Sequence, residues 1–150
     1  MKKFLTRLFT ACAVFAVGST VALAAAGWDD DYDKALERAK TEKKMVLLDF
    51  TGSDWCPPCM KLEKDVFSKK EFKDYAKENL VLVELDYPQG KRQAKKVVEQ
   101  NAKLQTQYAI NGYPTVVVLN SEGKELARWV GYQAGGPAAL IAKVNELKGK

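Results

Sequence analysis

From Asp29 to Thr41, Tyr32, Ala35, Leu36 and Ala39 recur at helical spacing on one face, with acids opening the segment and Arg38 and Lys40 near its end. That pattern predicts an amphipathic helix whose charges suit its dipole. MVLLDF (45–50) is a short apolar run bounded by charges and predicts a buried strand. A turn, TGSD, leads into Trp55 and Cys56, and a helix is predicted through MKLEKDVF. Ser68, with Glu71 three residues on, has the form of a capping box that opens a helix at KKEFKDYAKEN. VLVELD (81–86) predicts a second strand; YPQGK breaks it, and KRQAKKVVEQNAKLQTQYAI supplies a long helical stretch. Asn111-Gly112-Tyr113-Pro114 is a turn into TVVVLN, a strongly β-branched strand. SEGK makes a hairpin into ELARWV, with Gly123 available for a positive φ. After Gly135-Gly136-Pro137, Leu140, Ile141, Val144 and Leu147 form one face of a last helix.

The predicted order is α-β-α-α-β-α-β-β-α, without an internal repeat, a low-complexity segment or a second domain. Strands joined through helices make a parallel pair, and the last two strands make an antiparallel hairpin. The expected fold class is therefore α/β: a central mixed sheet with helices on both faces.

The start of the chain reads differently. MKKFLTR is basic, LFTACAVFAVGSTVAL is mostly apolar, and AxA patterns end at Ala24 and Ala26. Residues 1–26 are read as a signal peptide cleaved after Ala24 or Ala26, and residues 27–150 as the folded domain. A membrane anchor fits less well, because Thr10, Gly18, Ser19 and Thr20 interrupt the apolar run. A lipoprotein reading of Cys12 fails on the short apolar run between Arg7 and that cysteine. The leader implies a periplasmic or secreted protein. It also changes the charge picture: of the net +5, Lys2, Lys3 and Arg7 lie in the leader without an acid, which leaves +2. The remaining lysines are mixed with acids, as in KLEKD and SKKEFKD, a solvated pattern that argues against a nucleic-acid partner.

Loss of Cys12 leaves Cys56 and Cys59 as the only cysteines, in the stretch SDWCPPCMK. A bridge between them closes the smallest of loops and stabilises least, so the pair points to chemistry. Cys56 is placed at the start of a helix, where free amides and the dipole favour a thiolate. Pro57 and Pro58 suit the first helical turn and stiffen the segment between the sulfurs. Cys59, one turn on, is expected to be the more shielded thiol. The chain has no histidine, which excludes a Cys/His catalytic pair and Cys₂His₂ zinc. Met60 after Cys59 excludes haem attachment. Soft-metal binding through Cys56, Cys59 and Met60, and an inert structural pair, stay open beside redox exchange.

VLLDFTGSDWCPPCMKLE and NGYPTVVVLNSEGKELARWVGY together resemble the thioredoxin superfamily over nearly all of residues 27–150. TGSDWCPPCMKLEKDVFS is most similar to exported bacterial thioredoxin-like proteins, including the soluble domain of the membrane thiol:disulfide interchange protein. The resemblance implies a thioredoxin fold and thiol:disulfide exchange, with Cys56 attacking and Cys59 resolving. It implies that Pro114 is a cis-proline beside the disulfide and that Asp49 is a buried acid moving protons to and from Cys59. Trp55, Pro57, Pro58, Tyr113 and Pro114 would form the substrate-binding surface. Four features depart from the family: the longer TGSD turn, Glu84 where cytosolic thioredoxins carry a lysine, Tyr113 before Pro114, and proline at both positions between the cysteines. The expected function is an exported protein-disulfide reductase with no cofactor beyond its Cys56–Cys59 couple. Its expected partners are disulfide-bonded client proteins and a membrane-borne thiol donor, with the protein itself a monomer. The alternatives are a disulfide oxidase or isomerase, and a non-catalytic module that binds copper or a client.

Overall fold

The computed structural model describes residues 27–149, so the signal-peptide reading of residues 1–26 lies outside the described residues. Alternation along β1 (Met45–Thr51) sets the layers. Val46, Leu48 and Phe50 join one core cluster, and Leu47 joins the other. The first cluster is covered by α1 (Tyr32–Glu42) and α4 (Lys95–Gln107), through Tyr32, Ala35, Ala39 and Leu104. The second is covered by α2 (Pro57–Leu62), α3 (Lys70–Asn79) and α5 (Gly136–Asn145), through Leu62, Phe72, Ala76, Leu140 and Val144.

The sheet adds β2 (Leu80–Asp86), β3 (Thr115–Leu119) and β4 (Glu125–Val130), in the order β2-β1-β3-β4. β1 and β2 are parallel, with Asp49 opposite Glu84; β1 and β3 are antiparallel, with Asp49 opposite Val116. β3 and β4 form the expected antiparallel hairpin, with a register shift between Val118 and Leu119. The outer side of β2 is partly occupied: Asp29 N–H donates to the Leu82 carbonyl and the Asp29 carbonyl accepts from Glu84 N–H, each at 2.9 Å. The mixed sheet with helices on both faces is as expected from the sequence.

Four local expectations change. The helix after the cysteines runs on as a π-helical turn over Glu63–Phe67, closed by Ser68 N–H on the Glu63 carbonyl at 2.8 Å. The wider turn brings the adjacent Val66 and Phe67 both into the core. Ser68 is therefore spent on the preceding helix, its hydroxyl donating to the Lys64 carbonyl, and the capping box does not form. The predicted helical stretch from Lys91 to Ile110 is helical only as α4. At its far end Ala109 turns left-handed at φ 49°, and Ile110 N–H closes on the Gln105 carbonyl. On the last helix Leu140 and Val144 are buried, whereas Ile141 is only half-buried and Leu147 packs from beyond its end.

Candidate active site

β1 ends at Thr51, and the chain turns through Gly52–Trp55 into α2. Cys56 N–H donates to the Gly52 carbonyl at 3.0 Å. Trp55 lies so tightly on Gly52 that a Cβ there would stand 2.5 Å from the indole, which is why glycine follows the strand. Cys56 is the N-cap of α2, and its Sγ accepts the Cys59 backbone N–H at 3.3 Å. Pro57 and Pro58 fill the first turn, where no N–H is needed, and both are exposed. Cys56 and Cys59 are joined as a disulfide with Cα atoms 5.3 Å apart. Both residues are only 3% exposed, so burial does not make Cys59 the more shielded. What separates them is the amide directed at Cys56, a donor that suits a thiolate.

The Tyr113–Pro114 bond is cis, and Pro114 is buried. Phe50 pairs with Thr115, so Pro114 falls beside the end of β1 from which the cysteine turn departs. The Pro114 carbonyl accepts from Gly131 N–H at 2.7 Å, tying this loop to the end of β4. Tyr113 meets Trp55 edge-on at 5.8 Å between ring centroids and Tyr87 at 5.2 Å. Gln105 of α4 donates to the Tyr113 hydroxyl, and the Tyr87 hydroxyl donates to the Asn101 carbonyl one turn earlier on the same helix. Trp55, 37% exposed, completes this aromatic flank, its Nε1–H donating to the Tyr87 carbonyl at 2.7 Å.

Asp49 is 6% exposed and shares the α2 side of the sheet with Leu47; its Oδ1 has no hydrogen-bond partner. Burial pushes its carboxyl well above the usual range, and Glu84, Glu63 and Asp86 push it further. Glu84 is itself raised by burial and by Asp86 and Glu63, with Lys91 opposing. Glu63 was not singled out from the sequence. The signal was there, because it stands four residues after Cys59 and so shares that helix face. Met60, the third soft ligand considered above, is exposed.

The sheet order, the parallel pair and the terminal hairpin are those of the thioredoxin fold, and the chemistry open to its paired cysteines is thiol:disulfide exchange. A family model described as a thioredoxin-like domain matches residues 32–148, and the chain belongs to that family. Disulfide bond reductase DsbH of Chlamydia pneumoniae is 40% identical over 125 residues, covering 83% of this chain and 74% of the relative. A solved structure of DsbH oxidoreductase aligns with a TM-score of 0.76 at 35% identity, covering 98% of this chain and 94% of that one. Thiol:disulfide interchange protein DsbD of Pseudoalteromonas atlantica is 28% identical over 116 residues, which is 76% of this chain but 18% of that longer protein. The chain is a thioredoxin-like thiol:disulfide oxidoreductase.

Proposed function

We propose that the protein is an exported reductase of disulfides in client proteins. Cys56 thiolate attacks one client sulfur; a mixed disulfide forms, the client disulfide breaks, and the released client thiolate takes up a proton. Cys59, having given up its proton, attacks Cys56 Sγ and releases the second client thiolate. The client gains two electrons and the Cys56–Cys59 disulfide is formed. Asp49 is the acceptor proposed for the Cys59 proton. Trp55, Pro57, Pro58, Tyr113 and Pro114 form the surface met by the client. No cofactor beyond the cysteine couple enters this scheme.

The observation that carries the reading is the position of Cys56 as N-cap with an amide donated to its sulfur. The absence of charged or additional N–H groups between the two sulfurs supports the reducing direction. Oxidising power grows when the reduced form is stabilised, chiefly through the thiolate. The two residues between the cysteines are prolines without N–H or charge, and the chain has no histidine. A potential nearer thioredoxin's, about −270 mV, than that of a strong oxidant at about −120 mV is expected. The gap corresponds to roughly 7 kcal/mol for two electrons. The reductase name carried by the Chlamydia relative supports the same direction. Export rests on the leader pattern of residues 1–26; among the described residues no helix is long and apolar enough to cross a membrane. An exported reductant has to be re-reduced, which assigns it a membrane-borne thiol donor as partner. Equilibration with glutathione buffers tests the direction: a Cys56–Cys59 potential above about −150 mV would make the protein an oxidase.

A further inference from the structure

The turn before Cys56 is fastened from outside. Asp54 accepts two backbone amides from the loop after β2, Gln89 N–H at 3.0 Å on Oδ1 and Gly90 N–H at 2.7 Å on Oδ2. These amides hold its carboxyl below the usual range, the mark of a carboxylate that is the better acceptor when charged. The approach is close, since a Cβ on Gly90 would stand 3.2 Å from Asp54 Oδ2. One residue earlier, Asp86 accepts from Ser53 N–H at 2.9 Å and from the Ser53 hydroxyl at 2.6 Å. One residue later, Trp55 donates to the Tyr87 carbonyl, and Tyr87 N–H returns to the Thr51 carbonyl at 2.9 Å. The turn's own backbone does less for Trp55, whose N–H stands 3.4 Å from the Gly52 carbonyl. Side-chain clasps to residues 86–90 therefore fix a turn that the longer TGSD segment leaves loose.

We propose that Asp54 is a positioning residue for client recognition, acting through the 87–90 loop and Trp55. An exposed indole held in one orientation offers contact area with little ordering left to pay for on binding. Trp55 is such a group, gripped on its ring nitrogen, packed on Gly52 and set T-shaped to the Tyr113 ring. A client protein whose chain passes the rim of the disulfide meets this indole; a small disulfide that reaches only the sulfurs does not. The inference rests on the reading of the protein as a reductase of client disulfides.

The test compares insulin with the small aliphatic disulfide bis(2-hydroxyethyl) disulfide as substrates of the full-length protein. Asp54→Ala is expected to raise KM for insulin about fivefold with kcat unchanged, and to leave turnover of the small disulfide unchanged. Asp54→Asn keeps an acceptor for one amide and is expected to fall between. Combined with Trp55→Phe, which removes the indole N–H, Asp54→Ala is expected to add nothing to the worse single variant. Additive effects, an equal loss on both substrates, or an unchanged insulin KM in folded Asp54→Ala and Asp54→Asn each overturn the proposal. A wild-type protein that turns over the small disulfide but leaves insulin intact overturns the reductase reading and this proposal together. Additive variants of a wild type that does reduce insulin overturn the proposal alone.

Discussion

A carboxyl group with a buried oxygen that meets no donor keeps its proton to higher pH than one in water. Asp49 is in that position, with Glu63 and Glu84 adding like charge. Asp49→Asn is expected to slow resolution by Cys59 at least tenfold while sparing the first attack by Cys56. Stopped-flow kinetics of the two steps over about pH 6 to 9 checks this, and identical profiles for both proteins would reduce Asp49 to a structural residue. The sulfurs divide their work in the same scheme. Cys59→Ser should accumulate mixed disulfides on Cys56, and Cys56→Ser should form none; faster alkylation of Cys59 than of Cys56 in the reduced wild type would reverse the roles. At this scale the sequence was partly legible. A CxxC at a strand–helix junction announces itself, and so does a lone acid in an apolar strand. The Asp54 and Asp86 clasps do not, because their partners stand more than thirty residues away and are chosen by the fold.

The elements themselves were legible wherever apolar spacing was regular. β1, β2 and β3 are where their apolar runs lie, since a buried strand needs little beyond a short hydrophobic segment with turn residues on each side; β4, nowhere buried, is where the SEGK hairpin places it. Two of the misses come from polar groups bonded outside the helix predicted for them. Ser68 closes a π turn, which no propensity foretells. The stretch ahead of α4 is tied to the strand end instead, with Gln93 donating to the Asp86 carbonyl. α4 also acts as the post behind the aromatic flank. Asn101, 2% exposed, donates to the Asp86 carbonyl at 2.9 Å while its own carbonyl receives Tyr87. Asn101→Leu removes that donor and sets a larger apolar group in a polar junction. A loss of about 1–3 kcal/mol is expected, read as a lower denaturation midpoint with an unchanged m value. A change below about 0.5 kcal/mol would show that the junction is held without it.

Across the whole molecule, a buried acid makes stability depend on pH with a definite sign. The carboxyl of Asp49 is raised in the folded state, so the folded protein binds the proton more tightly than the unfolded chain does. This favourable difference is fully present below the unfolded pKa. It is lost as pH rises towards the folded pKa and is gone above it. Asp31 works in the opposite sense: Lys96 and the Lys34 amide hold it down to about 2, so its contribution is present above the unfolded pKa and lost on acidification. Asp49→Asn should therefore flatten the decline of stability from weakly acid to neutral pH and leave the acid limb in place. Denaturant titrations of both proteins across that range check it; parallel curves would contradict the assignment. The topology has a further consequence, for incomplete chains. β1 is one of the two inner strands, yet its partner β3 begins at Thr115, more than sixty residues after β1 ends. A chain emerging amino end first can pair β1 with β2 and bury half its apolar sheet, but it carries an open, apolar edge until Leu119 has been delivered. Premature stops between β2 and β3 should thus yield sticky, strand-seeking fragments rather than small stable domains, so for this protein the last strands to arrive are the safeguard against aggregation.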